Sequence, residues 1–566
     1  MKKNEIMLRW LVPVALFASG MLGQQARKAP LPAPSGFQIS GIVVDAAGSQ
    51  PLSGARVAIA PVSQRDAFTT IITGEDGRFS FPGLEPGKYT LTAQHRGYVT
   101  QSFNQHGPFS SSIAVGPELD SSHLVFAVIV EGAISGSVID EQGEAVRDAR
   151  VMLFQSAADD GILRTIQRAS AMTDDEGHYH FSHLRAGKYF VAVSAQPWYA
   201  QRPQAHIKVT DAAGAVTDYA GGVDDSALKD AQRVEVVEAT PSPLDVVYPI
   251  TFYGGATEAS AATPILLGKG DKVSADISLQ AVPAAHWRIN SASEQQQQSF
   301  VLLEQRVFDG TRIQIPVNAS IARPGVVEIA GLPPGHFTAN MHSTTGETVE
   351  QQELEVGGNG AVEKGQPAAA VPLAASFTFE PPATLSGQIG LLLREKTSNQ
   401  ILRENVNGKG EIEFKEGIQR GTYEVSVQGG SAIYLRSIQA TGARITGRIL
   451  EVKGAAPVKL SLTLATGRGD ITGIALRGDN PAPGVMVVLV PGDPAHNQLL
   501  FRRDQSDSDG TFSIAGVVPG RYTLLAIADG WDLEWANPAV LERFMAQGEP
   551  LTVEARGKYS VKAKVQ

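Results

Sequence analysis

Three histidines within six residues, His178, His180 and His183, form the densest group of metal-capable side chains in this 566-residue sequence. On a strand, His178 and His180 share the face opposite Tyr179 and Phe181. Both imidazoles can then reach one ion, with His183 in the following turn. The spacing supplies no clear further ligand. Elsewhere in the chain the matching positions hold Arg78 and Ser80, or Thr511 and Ser513, as on an ordinary solvent-facing strand. We therefore expect no metal site and no cofactor.

Acidic turns form a second candidate: Glu75-Asp76, Asp174-Asp175-Glu176, and Asp504, Asp507 and Asp509. Calcium takes several oxygens from one flexible loop, but Asp and Gly also make good hairpin turns, which is the favoured reading. Large aromatics form a third: Tyr98, Trp198 and Trp531 recur at one offset, with Tyr199 and Trp535 nearby. They suit either a stacking platform for sugar rings or caps on a sandwich core, and recurrence at a fixed offset favours packing. Arg468-Gly469-Asp470 and Arg477-Gly478-Asp479 spell an adhesion tripeptide twice, in residues that are ordinary turn chemistry.

Motifs of bond-making chemistry are absent. None of the 11 histidines has Glu three residues later, and there is no His-Glu-x-x-His, Gly-x-Ser-x-Gly or Gly-x-x-x-x-Gly-Lys-Ser/Thr. Without cysteine, disulfides, thiol nucleophiles and thiolate metal sites are excluded. A net charge of -10 with no basic stripe argues against nucleic acid.

The elements that carry these residues repeat. A nineteen-residue pattern occurs without a gap at Thr73 to Leu91, Thr173 to Val191 and Ser506 to Leu524. In each copy a Gly (Gly77, Gly177, Gly510) precedes an alternating strand: Phe79 and Phe81, Tyr179 and Phe181, Phe512 and Ile514. Pro86-Gly87-Lys88-Tyr89, Ala186-Gly187-Lys188-Tyr189 and Pro519-Gly520-Arg521-Tyr522 then predict a type II turn with its Gly at positive φ. Upstream, Ile39-Ser40-Gly41, Ile134-Ser135-Gly136 and Ile471-Thr472-Gly473 each begin a strand. Two eroded copies, Gly325 to Phe337 and Gly410 to Tyr423, bring the count to five.

This order of residues resembles the carboxypeptidase regulatory-like domain family, strongly in the first, second and last units. The layout is similar to secreted multidomain proteins of acidobacteria. The resemblance implies an all-β chain: about five small antiparallel, prealbumin-like Greek-key β-sandwiches, a fold shared with starch-binding-type modules. It implies no catalytic residue, because this domain accompanies a zinc carboxypeptidase domain and lacks its site.

The N-terminus carries Lys2, Lys3 and Arg9 before an apolar run from Trp10 to Leu22, which predicts a signal peptide, with an uncleaved membrane anchor as the alternative that the shortness of the run disfavours. No later segment is apolar enough to span a bilayer. The expected organisation is a signal peptide at 1–23, a linker at 24–36, and units at 37–130, 131–282, 283–375, 376–467 and 468–566. Thr210 to Asp230, Gly254 to Thr263, Gln295 to Gln298 and Gly357 to Ala370 read as loops. Five such units in a row would extend on the order of 150 Å. The expected function is a non-catalytic, exported scaffold or binding protein of the periplasm, envelope or exterior, with an envelope protein or polysaccharide as partner. A carbohydrate-binding protein and an accessory component of a peptidase are the alternatives.

Overall fold

In the first unit the strand Phe37–Asp45 pairs with Arg78–Leu84 on one side and Leu124–Val128 on the other. Facing this sheet, Arg56–Pro61 lies between Thr69–Ile72 and Gly87–Gln94, and the latter also pairs with Gln101–Ser102 and Ile113–Val115. Alternating residues from both sheets (Ile39, Val43, Val57, Ile59, Phe79, Phe81, Tyr89, Leu91 and Phe126) meet in one core. This is a β-sandwich, with polar residues at the intervening positions. The computed structural model describes residues 36–566 except 204–205, 221–228, 230, 238–241, 291–299, 324–325, 343–347, 359–360, 365–369, 381–388 and 431–432. The expected signal peptide, nearly all of the linker and the Gln295 to Gln298 loop lie outside the described residues.

The same two-sheet plan recurs. Gly132–Ile139 faces a sheet built on Arg150–Asp159 and Gly187–Ser194, and Gly469–Arg477 faces one built on Met486–Pro491 and Gly520–Ile527. In the eroded copies, Val326–Leu332 faces Phe300–Val307 with Gly335–His342, and Glu411–Ile418 faces Gly390–Glu395 with Gly421–Gln428. Pairing is mainly antiparallel, but Phe37–Asp45 runs parallel to Leu124–Val128, and Gly469–Arg477 runs parallel to Lys558–Lys564. A parallel pair needs a long connection, and here the opposite sheet supplies it.

The conserved letters of the repeat have matching physical jobs. Thr73 Oγ1 accepts from Ala55 N–H and donates to Leu52 C=O; Thr173 does the same with Ala149 and Val146, and Ser506 with Val485 and Ala482. All three hydroxyls are buried. The tyrosine that ends each motif donates its hydroxyl to the carbonyl four residues back: Tyr89 to Glu85, Tyr189 to Arg185, Tyr423 to Gln419 and Tyr522 to Val518. Such a corner pins the turn between the sheets. Gly77 and Gly177 sit at φ +71° and +76°, and an added Cβ would lie 2.8 Å from Val43 O or 2.6 Å from Val138 O.

Of the three glycines expected at positive φ, Gly187 and Gly520 start strands without it, and Gly87 starts one at φ +157°, well beyond the value of about +80° that a type II turn needs. The left-handed position lies four residues earlier, at Gly83, His183, Gly331, Gly417 and Gly516. Each marks a β-bulge, seen as a register shift in the adjoining strand pair. His183 (φ 59°) alone fills it with a side chain.

Two expected loops contain strands. Within Thr210 to Asp230 the chain forms a hairpin: His206–Asp211 pairs with Val216–Ala220, and also with Ala231–Val237. Asp211 Oδ1 accepts the N–H groups of Ala213 and Ala215, so the Ala- and Gly-rich run is a tight turn between strands. Within Gly357 to Ala370, Val362–Lys364 pairs with Thr348–Val356. The Gly254 to Thr263 segment carries only a single 3-10 turn, Ala259–Ala261.

An extended row is contradicted, because the first unit is clasped to the last. Lys88 Nζ bonds Asp507 and Thr511, Ser111 Oγ donates to Ser506 C=O, and Ser508 N–H donates to Ser112 C=O. The second and third units share one apolar core in which Met152, Phe154 and Phe252 meet Trp287, Leu303 and Phe337. Ile162 of the second unit packs with Trp535 and Leu541 of the last. The reason is strands apolar on both faces. Val151 to Phe154 and Val485 to Val490 are buried throughout, so each sheet must be covered on its outer side as well.

Candidate functional site

The histidine group does not converge. His178 and His180 lie exposed on His178–Leu184, on the face opposite buried Tyr179 and Phe181, as the alternation requires. His178 Nδ1 stands 3.6 Å from Glu176 and 3.8 Å from Asp174, whereas His183 Nε2 faces Glu131 at 3.4 Å across the bulge. Among the described residues, no group of three or more His, Cys, Asp or Glu is arranged to hold a metal ion.

The acidic turns are occupied by their own backbone. Asp76 accepts from Arg78 N–H, Asp174 from Glu176 and His178 N–H, Asp509 from Thr511 N–H, and Asp504 from Ser513 N–H. Asp507 is turned outward to the first unit, where it takes Lys88 and the Ser112 N–H. Burial pushes the Asp504 carboxyl up, against the pull of the Ser513 and Gln505 N–H groups.

The aromatics divide. Tyr98 is half-buried against the first core and meets His95 edge-on at 5.2 Å. Trp531 stacks on His106 with centroids 3.8 Å apart and planes at 12°, beside Arg503, whose guanidinium also covers Phe109. Burial lowers the His106 pKa, with Arg503 adding to the effect, and brings Arg503 down to about 10. Trp535 packs against Gly161, where an added Cβ would meet its ring at 2.7 Å, and Ala536 N–H donates to Gly161 C=O. Trp198, however, is 82% exposed. Its neighbour Tyr199 stands at 90° to it with centroids 5.9 Å apart, and donates its hydroxyl to Glu141. Tyr248 donates to the other Glu141 oxygen at 3.1 Å. Burial first, and the Glu141 carboxylate next, push the Tyr199 phenol up to about 12.

Both adhesion-like tripeptides lie on Gly469–Arg477 and the turn after it. In the first, Arg468 donates to Ile433 C=O and Asp470 accepts Gly516 N–H; the second forms an exposed hairpin turn in which Arg477 pairs with Asn480.

Sequence reasoning missed one buried polar network. His286 Nε2 lies 2.5 Å from Asp245 Oδ2 and its Nδ1 3.3 Å from Glu328 Oε1, with Arg202 and Arg288 beside the two carboxylates. Ala284 N–H donates to Asp245 C=O in the same place, so the network ties the second unit's closing segment to the third unit's first sheet. Each ion pair joins residues 40 or more positions apart in the chain, and the residues share no motif, so no local signal marks them. A cavity of ≈ 530 Å³ opens where four units meet, lined by Arg164, Asp309, Arg394, Lys396, Glu424 and Asn537. Asp309 accepts Thr165 N–H there and Glu424 accepts Leu499 N–H, so both carboxylates serve the junction.

No curated protein matches this chain. Among solved structures it is similar to the Bacillus anthracis TIE protein, at 9% identity over 96% of this chain and 76% of that one, with a TM-score of 0.14. It is also similar to the full-length major pilin RrgB from Streptococcus pneumoniae, at 8% identity over 93% and 99%, with a TM-score of 0.17. For GBS52, the minor pilin of Streptococcus agalactiae, the identity is 14% over 34% and 95%, with a TM-score of 0.17. The likeness read from the repeats is met in the first two units, where residues 38–116 and 133–220 match the family model of the carboxypeptidase regulatory-like domain.

Proposed function

We propose that this chain is a non-catalytic, exported scaffold, acting in the periplasm, the envelope or outside the cell through its loops and strand edges. We further propose that it divides into five sandwich units near residues 130, 282, 375 and 467. One observation carries the reading: apart from the exposed His178, His180 and Trp198, the chemically capable residues named in the repeat are committed to holding the fold. The repeated hydroxyls and tyrosines pin turns, the acidic groups cap backbone N–H groups, and Lys88, His106 and Trp531 clasp the first unit to the last. Such a body presents surfaces at fixed relative positions, and its partner is an envelope protein or polysaccharide.

The test has two arms. Fractionated cells should hold the protein in the envelope, the periplasm or the medium. The purified full chain, with and without added zinc, should turn over no peptide, ester or glycoside. Cytoplasmic residence, or metal-dependent cleavage by the pure protein, would overturn the proposal.

A further inference from the structure

The three repeats provide an internal control for one position. Twenty-five residues after the buried hydroxyl stands Tyr98, Trp198 or Trp531. In the first unit the ring is half-buried against its own core, and in the last it is covered by His106. In the second no described residue covers it, and at 82% Trp198 is the most exposed large apolar side chain among the described residues. An indole left bare where its counterparts are covered marks a contact surface.

The surroundings of Trp198 suit a ligand. Its turn is closed by Ala200 N–H on Pro197 C=O, so the ring is carried on a hydrogen-bonded loop. Tyr199 meets it at 90°, and the two rings form an open corner. Glu141 holds that corner in place by accepting both the Tyr199 and the Tyr248 hydroxyl. The result is an apolar face with a rim of phenol and carboxylate oxygens, already ordered before anything binds.

We infer that the Trp198–Tyr199 corner is a stacking subsite for a neutral saccharide ring, the Glu141 carboxylate accepting from the sugar's hydroxyls. The inference rests on the reading of the chain as a binding scaffold and names a ligand class for it. A pyranose offers what the corner lacks, a C–H face to lie on the indole and hydroxyl donors at its edge. Peptide recognition uses a free strand edge, a groove or a cluster of Arg, whereas Trp198 stands on a turn outside any strand.

The test is affinity electrophoresis of the full chain in native gels containing, in turn, a β-glucan, a xylan, a mannan and dextran. At least one polymer should retard the protein. Trp198→Ala should weaken that binding at least 10-fold with an unchanged melting temperature, and Glu141→Gln should weaken it a few-fold. Failure of every polymer to retard the chain, retardation indifferent to Trp198→Ala, or Trp198-dependent binding of oligo-arginine in place of the polymers would each overturn the inference. Hydrolysis of a retained polymer, lost in Trp198→Ala, would support the subsite and overturn the non-catalytic reading.

Discussion

Reversing the charge of Lys88 should open the clasp between the first and last units. Its ammonium lies 2.5 Å from Asp507 Oδ2 and 4.0 Å from Asp509 Oδ1, with side chains 37%, 15% and 20% exposed respectively. At an effective dielectric of about 20, one unit-charge pair at about 4 Å is worth about 4 kcal/mol. Lys88 is more than a third exposed, so solvent screening reduces this considerably. Lys88→Glu exchanges the attraction for repulsion and removes the bond to Thr511. The expected loss is about 2–3 kcal/mol of clasp stability, or roughly 30- to 150-fold in the opening equilibrium. Hydrogen exchange reads it directly. Ser112 N–H and Ala114 N–H donate across the clasp to Asp507 and Ser508, and Ser508 N–H donates back to Ser112 C=O. Protection at these amides should fall by that factor, while amides of the third unit keep theirs. Small-angle scattering supplies the global check. A compact chain of this length has a radius of gyration of about 25 Å, and a straight row about 150 Å long would have about 43 Å. Unchanged protection in Lys88→Glu, together with a wild-type value near that of the row, would refute the closed arrangement.

Ser506→Ala leaves the Val485 N–H and the Ala482 C=O without their side-chain partner in a fully buried site. Urea unfolding of the last unit should show a loss of about 2–4 kcal/mol, against about 1 kcal/mol for Tyr522→Phe, which removes one hydroxyl bond to Val518. His183→Gly relieves a left-handed residue where four other units carry Gly. It should stabilise the second unit by about 0.5–1 kcal/mol, and destabilisation would show that the His183–Glu131 contact outweighs the strain. His106 is harder to protonate when folded, because burial and Arg503 disfavour the cation. Its contribution is therefore complete above the free imidazole value of about 6.5 and is lost as pH falls through that value toward the lowered one. Clasp amides should lose protection between pH 7.5 and pH 5. In His106→Phe, which keeps a ring against Trp531 but cannot titrate, this pH dependence should flatten.

Residues that act on near neighbours were legible in the sequence. Alternation at Phe79 and Phe81, or Tyr179 and Phe181, gave the inward faces, and the recurring Gly77, Gly177 and Gly510 marked tight approaches that leave no room for a Cβ. The bulge is written in the sequence too, as Gly83, Gly331, Gly417 and Gly516, each four residues before the glycine that turn chemistry singles out. Among the candidate sites, the exposed faces of His178 and His180 followed from alternation. The differing fates of Tyr98, Trp198 and Trp531 did not, because an aromatic at a fixed offset does not reveal what lies above it.

The sequence alone determined the all-β class, the repeating unit and the residues that hold each unit together, since strand alternation, turn chemistry and short-range hydrogen bonds are set by neighbours along the chain. Tertiary structure alone decided that the first unit meets the last, that Asp245, His286 and Glu328 form one network, and that Trp198 stays bare while Trp531 is covered. Each of these depends on which outer faces are buried against one another. The apolar runs Val151 to Phe154 and Val485 to Val490 announced that need for cover without naming the segment that meets it.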